Sequence, residues 1–436
     1  MQTTRPSAPR ATIFAIACLQ VVVLCASATH SSDLHPEFQI AIDLDHVFAA
    51  VWPLMAFLPL AWLFSISEFS FGYVASYYSY VMIAGFLWIN GFPNFNYDHR
   101  AAGLSAFASA ALFLLPALLV KKPLTQLLSL SRRAFNALLV AILVLSLLTI
   151  IASAGYNFQL IRTFGRLRDE LFHATLRNDL QFPTAIRYLI GITSTALLPF
   201  AFAIFVLQKR FFLACIPLVL LALLAPITLA KMSLFSPFWL VYVALIGSLL
   251  DARLALVLIV LFPMVVGGVA AVVLGESEHT LFDLMNFRFM VVPSMAMSVY
   301  HDFFARHELT WFCQISPLKS VVSCPYREQL GVVLAKAYHL GNYNGSLFVS
   351  EGVASVGSLL APISAVFCGF VVALGNRLSA GLPFRLILIS SSILAQAIVN
   401  VPLSTCLLTH GGGLLFFLWY VTPRDAFSPS AEASMQ

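Results

Sequence analysis

The sequence predicts an all-α integral membrane protein of about twelve spans, with a large polar loop between spans nine and ten. Two observations carry this. The chain is 60% hydrophobic and 10% charged, with a mean hydropathy of +0.91, whereas a soluble domain carries roughly 25% charged residues. Apolar stretches close to the ~20 residues of a bilayer crossing recur along the chain. One 77-residue polar break, 275–351, interrupts them.

The apolar segments lie near 12–28, 46–66, 73–92, 101–120, 134–154, 186–207, 211–230, 234–250, 254–274, 352–375, 384–402 and 405–421. The first has two readings. Arg5 and Arg10, the apolar run from Ile13 to Leu24 and Ala26-Ser27-Ala28 suit either a retained first helix or a cleaved signal peptide. The retained helix is the reading taken.

Short loops that keep Lys and Arg mark the cytoplasmic side. Arg5 and Arg10, Lys121 and Lys122, Arg132 and Arg133, Lys209 and Arg210, Arg253, Arg377 and Arg424 all fall on one side if both termini are cytoplasmic. The acidic 30–45 loop, the 155–185 segment and the 275–351 break then face outward. The chain 1–436 reads as one membrane domain with two outward insertions.

The insertion 155–185 holds Arg162, Arg166, Arg168 and Arg177 against Asp169, Glu170 and Asp179. At helical spacing, Arg162, Arg166, Asp169 or Glu170, His173 and Arg177 share a face. That face suits a salt-bridged surface helix, or a cationic strip for anionic headgroups or pyrophosphate. The break 275–351 opens on Phe287-Arg288-Phe289-Met290-Val291-Val292-Pro293 and runs to Tyr300-His301-Asp302-Phe303-Phe304. It predicts an amphipathic helix at the outer interface, kinked at Pro293. A continuous helix would put Arg288 and Asp302 on a similar face, about 21 Å apart along its axis. Span ten then begins Ser350-Glu351-Gly352, with Ala354, Ser355, Gly357 and Ser358 keeping its first turns small. Glu351 is expected in the first helical turn, where a carboxylate is favoured whether it caps or reacts.

Seven cysteines show no CxxC and no Cys/His metal spacing. Cys313 and Cys324 fall in the outward break, where an oxidising compartment permits a disulfide. Whether they are bonded or free stays open at this stage.

The strings Phe287-Arg288-Phe289, Val292-Pro293 and Tyr300-His301-Asp302-Phe303-Phe304, followed by Asn342-Tyr343-Asn344-Gly345-Ser346-Leu347-Phe348, Glu351-Gly352 and Gly357, resemble the O-antigen and exopolysaccharide repeat-unit polymerases of bacterial inner membranes. Ala230-Lys231-Met232-Ser233 resembles the family's Lys at a span end. The Tyr156-to-Arg168 region loosely resembles its basic outward segment. One departure is Ala354-Ser355-Val356-Gly357, where the family carries an Asn and an aromatic. The resemblance implies a GT-C-like polymerase or ligase architecture in the inner membrane, handling undecaprenyl-pyrophosphate-linked glycans without a nucleotide sugar.

That chemistry assigns roles. Negative charge grows on the leaving pyrophosphate, so fixed cations stabilise it, and Arg forks match phosphate oxygens. Arg288, with Arg162, Arg166 or Lys231, is the choice for this duty. An acceptor hydroxyl needs a base, for which Glu351 is the first candidate, then Asp302 and His301. Tyr300, Trp311, Tyr338 and Tyr343 could stack on sugars, and Asn344 lies in the matching motif. Each has a plainer reading: Lys231 snorkelling to headgroups, Arg288 anchoring its helix, and His301 hydrogen-bonded as a structural group. Gln396 and Asn400 read as interhelical hydrogen-bond partners. No metal, cofactor or nucleic-acid partner is expected. The partners are the bilayer and the lipid-linked glycan, with a chain-length regulator left open. The rival readings are a ligase moving finished polymer to an acceptor, and a flippase or exporter of lipid-linked sugars. A transporter should show repeated halves and ionisable groups within spans.

Overall fold

Helix starts along the chain are set by small polar side chains that accept otherwise orphaned backbone N–H groups. Ser70 accepts from Tyr73 at 3.2 Å, Asp98 from Ala101 at 2.9 Å and Ser131 from Ala134 at 3.3 Å. The structure, a computed structural model, describes residues 8–43, 45, 47–92, 95–158, 182–274, 279–315, 318, 321–340 and 344–427. It is 78% helix, with no strand among the described residues.

Eight helices are long and apolar enough to cross a membrane: Arg10–Leu34 (α1), Val47–Ile66 (α2), His99–Leu119 (α4), Arg132–Ala154 (α5), Thr184–Leu207 (α6), Phe211–Thr228 (α7), Ala252–Leu274 (α9) and Phe348–Ser379 (α12). Between α2 and α4 lies Phe71–Ile89 (α3), almost wholly buried, with four tyrosines and two serines in its 19 residues. Lys231–Leu249 (α8), Phe384–Ile398 (α13) and Gly412–Val421 (α15) are the remaining long apolar elements, with Leu403–Leu408 (α14) between the last two. Helices therefore coincide with all twelve predicted segments. The last is broken by a turn before Gly412, so it is two short helices rather than one. Outer faces remain apolar: Val140, Val144, Leu148 and Ile151 line the exposed side of α5, as a lipid-facing helix requires.

One end of the bundle is basic, and its cations hold helix C-terminal carbonyls, where the helix dipole favours positive charge. Lys121 donates to the Glu68 carbonyl, Arg253 to Ser65, Arg377 to Lys122 and Arg385 to Gly247, each at 3.0 Å. Arg424 reaches the Leu378 carbonyl at the same distance. At the other end His35 pairs with Asp283 at 2.9 Å, and the Ala41 amide meets the Phe92 carbonyl.

Near that second end a helix, α10, runs from His279–Phe282 through a π-helical stretch, Asp283–Val291, into Val292–Phe304. It crosses its neighbours rather than lying on them. Asn286 donates to Ser27 and to the Met264 carbonyl, both at 2.8 Å; Gln396 donates to the Phe289 carbonyl at 3.1 Å; and Ser294 donates to the Met82 carbonyl at 2.8 Å. The predicted amphipathic interfacial helix is thus corrected. Every residue of Val292–Phe304 is buried, because α3, α12 and the segment after it enclose all sides. Pro293 makes no sharp kink; Val291 and Val292 on its N-terminal side keep helical angles. The wide π-turns before it accommodate a residue that lacks an N–H.

The tenth apolar segment is not a straight span either. Thirteen residues of helix measure about 20 Å, yet Ser364 Oγ donates to the Glu351 carbonyl at 2.7 Å. A Cβ on Gly352 would stand 3.2 Å from that of Ala361. The chain reverses at Gly357, whose φ of 77° and ψ of 166° belong to glycine alone. At its start Phe348 packs on Phe113, deep within α4, with ring centroids 5.3 Å apart. The chain therefore climbs from inside the bundle to Gly357 and then descends to Ser379 at the basic end. The small residues expected to admit a neighbouring helix admit the chain's own second limb.

Candidate functional site

Four strings of the polar break meet at the non-basic end. Tyr300 Oη accepts the Gly345 N–H at 3.0 Å. A Cβ on Gly345 would lie 2.7 Å from Tyr300 Cζ and 2.4 Å from Val349 Cγ2, so only glycine allows the approach. Ser350 Oγ donates back to the Gly345 carbonyl at 2.9 Å. Tyr300 is enclosed, and burial raises its phenol above the ordinary value. It ties the crossing helix to the re-entrant limb and offers no face for a sugar.

The neighbouring His301 is also buried. One ring nitrogen, Nδ1, lies 3.0 Å from Ser358 Oγ, the residue just past the Gly357 reversal. Nε2 has no hydrogen-bond partner among the described residues. Phe86 and Tyr97 flank the ring at 5.5 and 5.7 Å. Burial, with His99 nearby, pushes the imidazole down to about 3, so it is neutral at ordinary pH.

Asp302, 1% exposed, ends the crossing helix as the centre of a small network. It accepts from the Asn96 N–H at 3.0 Å, from the Arg306 guanidinium one turn on, and from the Tyr338 hydroxyl on the helix Leu330–Tyr338 (α11). Burial and the adjoining carboxylate raise the Tyr338 phenol, and Asp302 raises Arg306. Both carboxylate oxygens already have donors, so Asp302 is placed to orient Arg306, which stays half exposed.

Glu351 lies in the π-helical turn Phe348–Val353 of the re-entrant limb, inside the bundle. Its Oε1 accepts from Ser404 N and Ser404 Oγ, each at 2.9 Å, and Oε2 from Leu403 N at 3.2 Å. It therefore caps α14 rather than its own helix. A reversal at Gly357, invisible in the residue types around Glu351, carries it there. Arg288 lies on the π-helical stretch and is exposed, its guanidinium 5.8 Å from the Phe287 ring. Arg288 and Asp302 do not share a face as expected. A π-helix turns less per residue than an α-helix, which shifts the register between them.

Asn344 is exposed beside Gly345. Lys231 opens α8. Arg162 and Arg166 lie outside the described residues, as does Tyr343. Gln396 and Asn400 do bond between and within helices, Asn400 donating to the Gln396 carbonyl at 2.9 Å. Tyr338, Asn96, Ser358 and Ser404 were not legible as site residues. Arg306, four residues after Asp302 on a helix, carried a readable signal.

Cys313 and Cys324 form a disulfide. The loop before it lies on the Gly357 break. Thr310 N donates to the Ala354 carbonyl at 2.8 Å and Trp311 N to Ser355 at 3.1 Å. Among the described residues no three His, Cys, Asp or Glu side chains come together as a metal site. Comparison with protein-family models, curated proteins and solved structures returns no match to this chain.

Proposed function

We propose that the chain is a membrane glycan transferase that lengthens undecaprenyl-pyrophosphate-linked repeat units at the outer face of a bacterial inner membrane. Twelve crossings with both termini cytoplasmic fit this reading, since the cation-capped end then faces the cytoplasm. The observation that supports it best is the convergence of the two strings resembling repeat-unit polymerases, through the Tyr300–Gly345 bond at the opposite end of the bundle.

In this reading the exposed Arg288 and the Asp302-oriented Arg306 meet the pyrophosphate as it accumulates charge. Arg162, Arg166 and Lys231 add cations from the neighbouring outward segments. The acceptor hydroxyl gives its proton to Glu351, which then needs to leave its Ser404 and Leu403 donors, or to the free Nε2 of His301. Attack on the anomeric carbon breaks its bond to the pyrophosphate, which departs with the lipid. Asn344 lies within reach of sugar from the exposed loop.

A second reading, an exporter of lipid-linked sugars, is favoured by one observation. A re-entrant helix carrying a buried carboxylate is a form in which membrane transporters hold their sites. A gel of lipid-linked glycans from cells lacking the protein separates the two. Loss of long chains, with single units on the outer leaflet, supports polymerisation. Single units held on the cytoplasmic leaflet indicate export. Full-length lipid-linked chains that fail to reach an acceptor indicate a ligase.

A further inference from the structure

The break at Gly357 frees backbone groups that a continuous helix would satisfy. Without Gly357 in a helical conformation, the Ala354 and Ser355 carbonyls cannot receive N–H groups from the next turn. Inside a membrane protein such groups need partners. They find them in Thr310 N and Trp311 N, while Thr310 Oγ1 meets Ser355 Oγ at 3.1 Å. Thr310 is fully buried, and Leu309 lies against Gly357.

The clamping segment is itself held under tension. Trp311 and Phe312 stand consecutively in the left-handed region, at φ 48° and 63°, a conformation that large L-residues avoid. Two anchors enclose them. On one side are the hydrogen bonds to Ala354 and Ser355; on the other is Cys313, fully buried and bonded to the partly exposed Cys324. The other five cysteines lie within helices, away from this loop.

We propose that the Cys313–Cys324 disulfide is a redox latch that holds the re-entrant limb in its reversed form. Closed, it fixes Thr310 and Trp311 on the break, and with them the placement of Ser358 against His301 and of Glu351 against Ser404. Opened, it lets Trp311 and Phe312 relax out of the left-handed region and withdraw their two N–H groups. Opening requires a dithiol. One thiolate attacks the Cys324 sulfur, a mixed disulfide forms and releases the Cys313 thiolate, and the second thiol closes the reagent into its own disulfide. Two protein thiols result. A control on lengthening rests on the glycan-transfer reading; the latch itself does not.

The test uses the full-length protein in lipid nanodiscs, before and after reduction with dithiothreitol, with alkylation and mass analysis confirming two new thiols. Amide exchange over 309–312 and 352–360 is followed together with lengthening of lipid-linked units. The latch predicts exchange at least about ten-fold faster in both segments, unchanged exchange in α5 and α7, and a matching fall in lengthening. Unchanged exchange at 309–312 after complete reduction overturns the latch. Faster exchange with undiminished lengthening overturns its control of the site. Absence of lengthening in the oxidised protein counts against the transferase reading, while exchange still decides the latch. A Cys313→Ser/Cys324→Ser variant that inserts normally should show the reduced pattern without reagent; the oxidised pattern in that variant overturns the latch.

Discussion

Tyr300 and Gly345 are 45 residues apart and joined at 3.0 Å, the phenol oxygen accepting the glycine amide. The bond fixes the buried crossing helix to the foot of the re-entrant limb. It can form only because position 345 has no side chain.

Gly345→Ala should therefore act through volume. The new methyl meets the Tyr300 ring and Val349, and such overpacking costs about 1–3 kcal/mol. The thermal midpoint in detergent should fall, and Tyr300→Phe, which removes only the hydroxyl, should cost less. An unshifted midpoint for Gly345→Ala would show that the two segments are not in contact.

Gly357→Ala should act through the backbone. The required φ of 77° with ψ of 166° excludes a β-carbon at a cost of about 1–3 kcal/mol. The alanine variant favours a straight helix, which separates Ser364 from Glu351. A crosslink between cysteines placed at 352 and 361 should form in the parent and fail in the variant. Equal crosslinking in both would contradict the reversal.

His301 gives a pH dependence with a definite sign. Its folded value is lowered to about 3 from an ordinary 6.5. Below 6.5 the unfolded chain takes up a proton that the folded chain refuses. The contribution is therefore whole above 6.5 and is lost as pH falls toward 3. Lowering the pH from about 6.5 to about 5 should remove about 2 kcal/mol. Unfolding midpoints across this window should be less steep for His301→Gln. An identical slope would mean that the imidazole is not the group responsible.

Arg288→Ala and Glu351→Gln test the chemistry. Arg288 is exposed, so its loss should leave protein levels unchanged and reduce lengthening about 10²-fold. Glu351→Gln keeps a side chain of nearly the same shape but cannot take a proton; a base role predicts a loss of about 10²-fold or more. If Gln supports full-length ladders, Glu351 is a cap for α14 and no more. Wild-type ladders from both variants would remove the site assignment.

Much of the frame was legible before the structure. Each apolar run became a helix because membrane burial leaves the backbone no other partner. The serine and aspartate caps at Ser70, Asp98 and Ser131 could be read from their positions. The site was less so. Gly352, Ala354, Ser355 and Gly357 announced a close approach, but residue size alone does not say whether the visitor is another helix or the same one returning. Asp302 reads as polar and surface-seeking until Asn96 and Tyr338, 206 and 36 residues away in number, give it donors. Contacts of that separation depend on topology, which local periodicity does not encode.

The π-helical stretch Asp283–Val291 has a consequence for length rather than identity. A π-turn is an α-helix holding a surplus residue, so many substitutions within 283–291 leave its geometry intact. Removing one residue there would instead let the stretch relax to an α-helix and rotate everything after it by about 100°. His301 and Asp302 would swing away from Ser358 and Asn96 together, with every side chain of both partnerships still present. This segment should thus accept spelling changes while rejecting single-residue deletions, the reverse of what an ordinary loop tolerates.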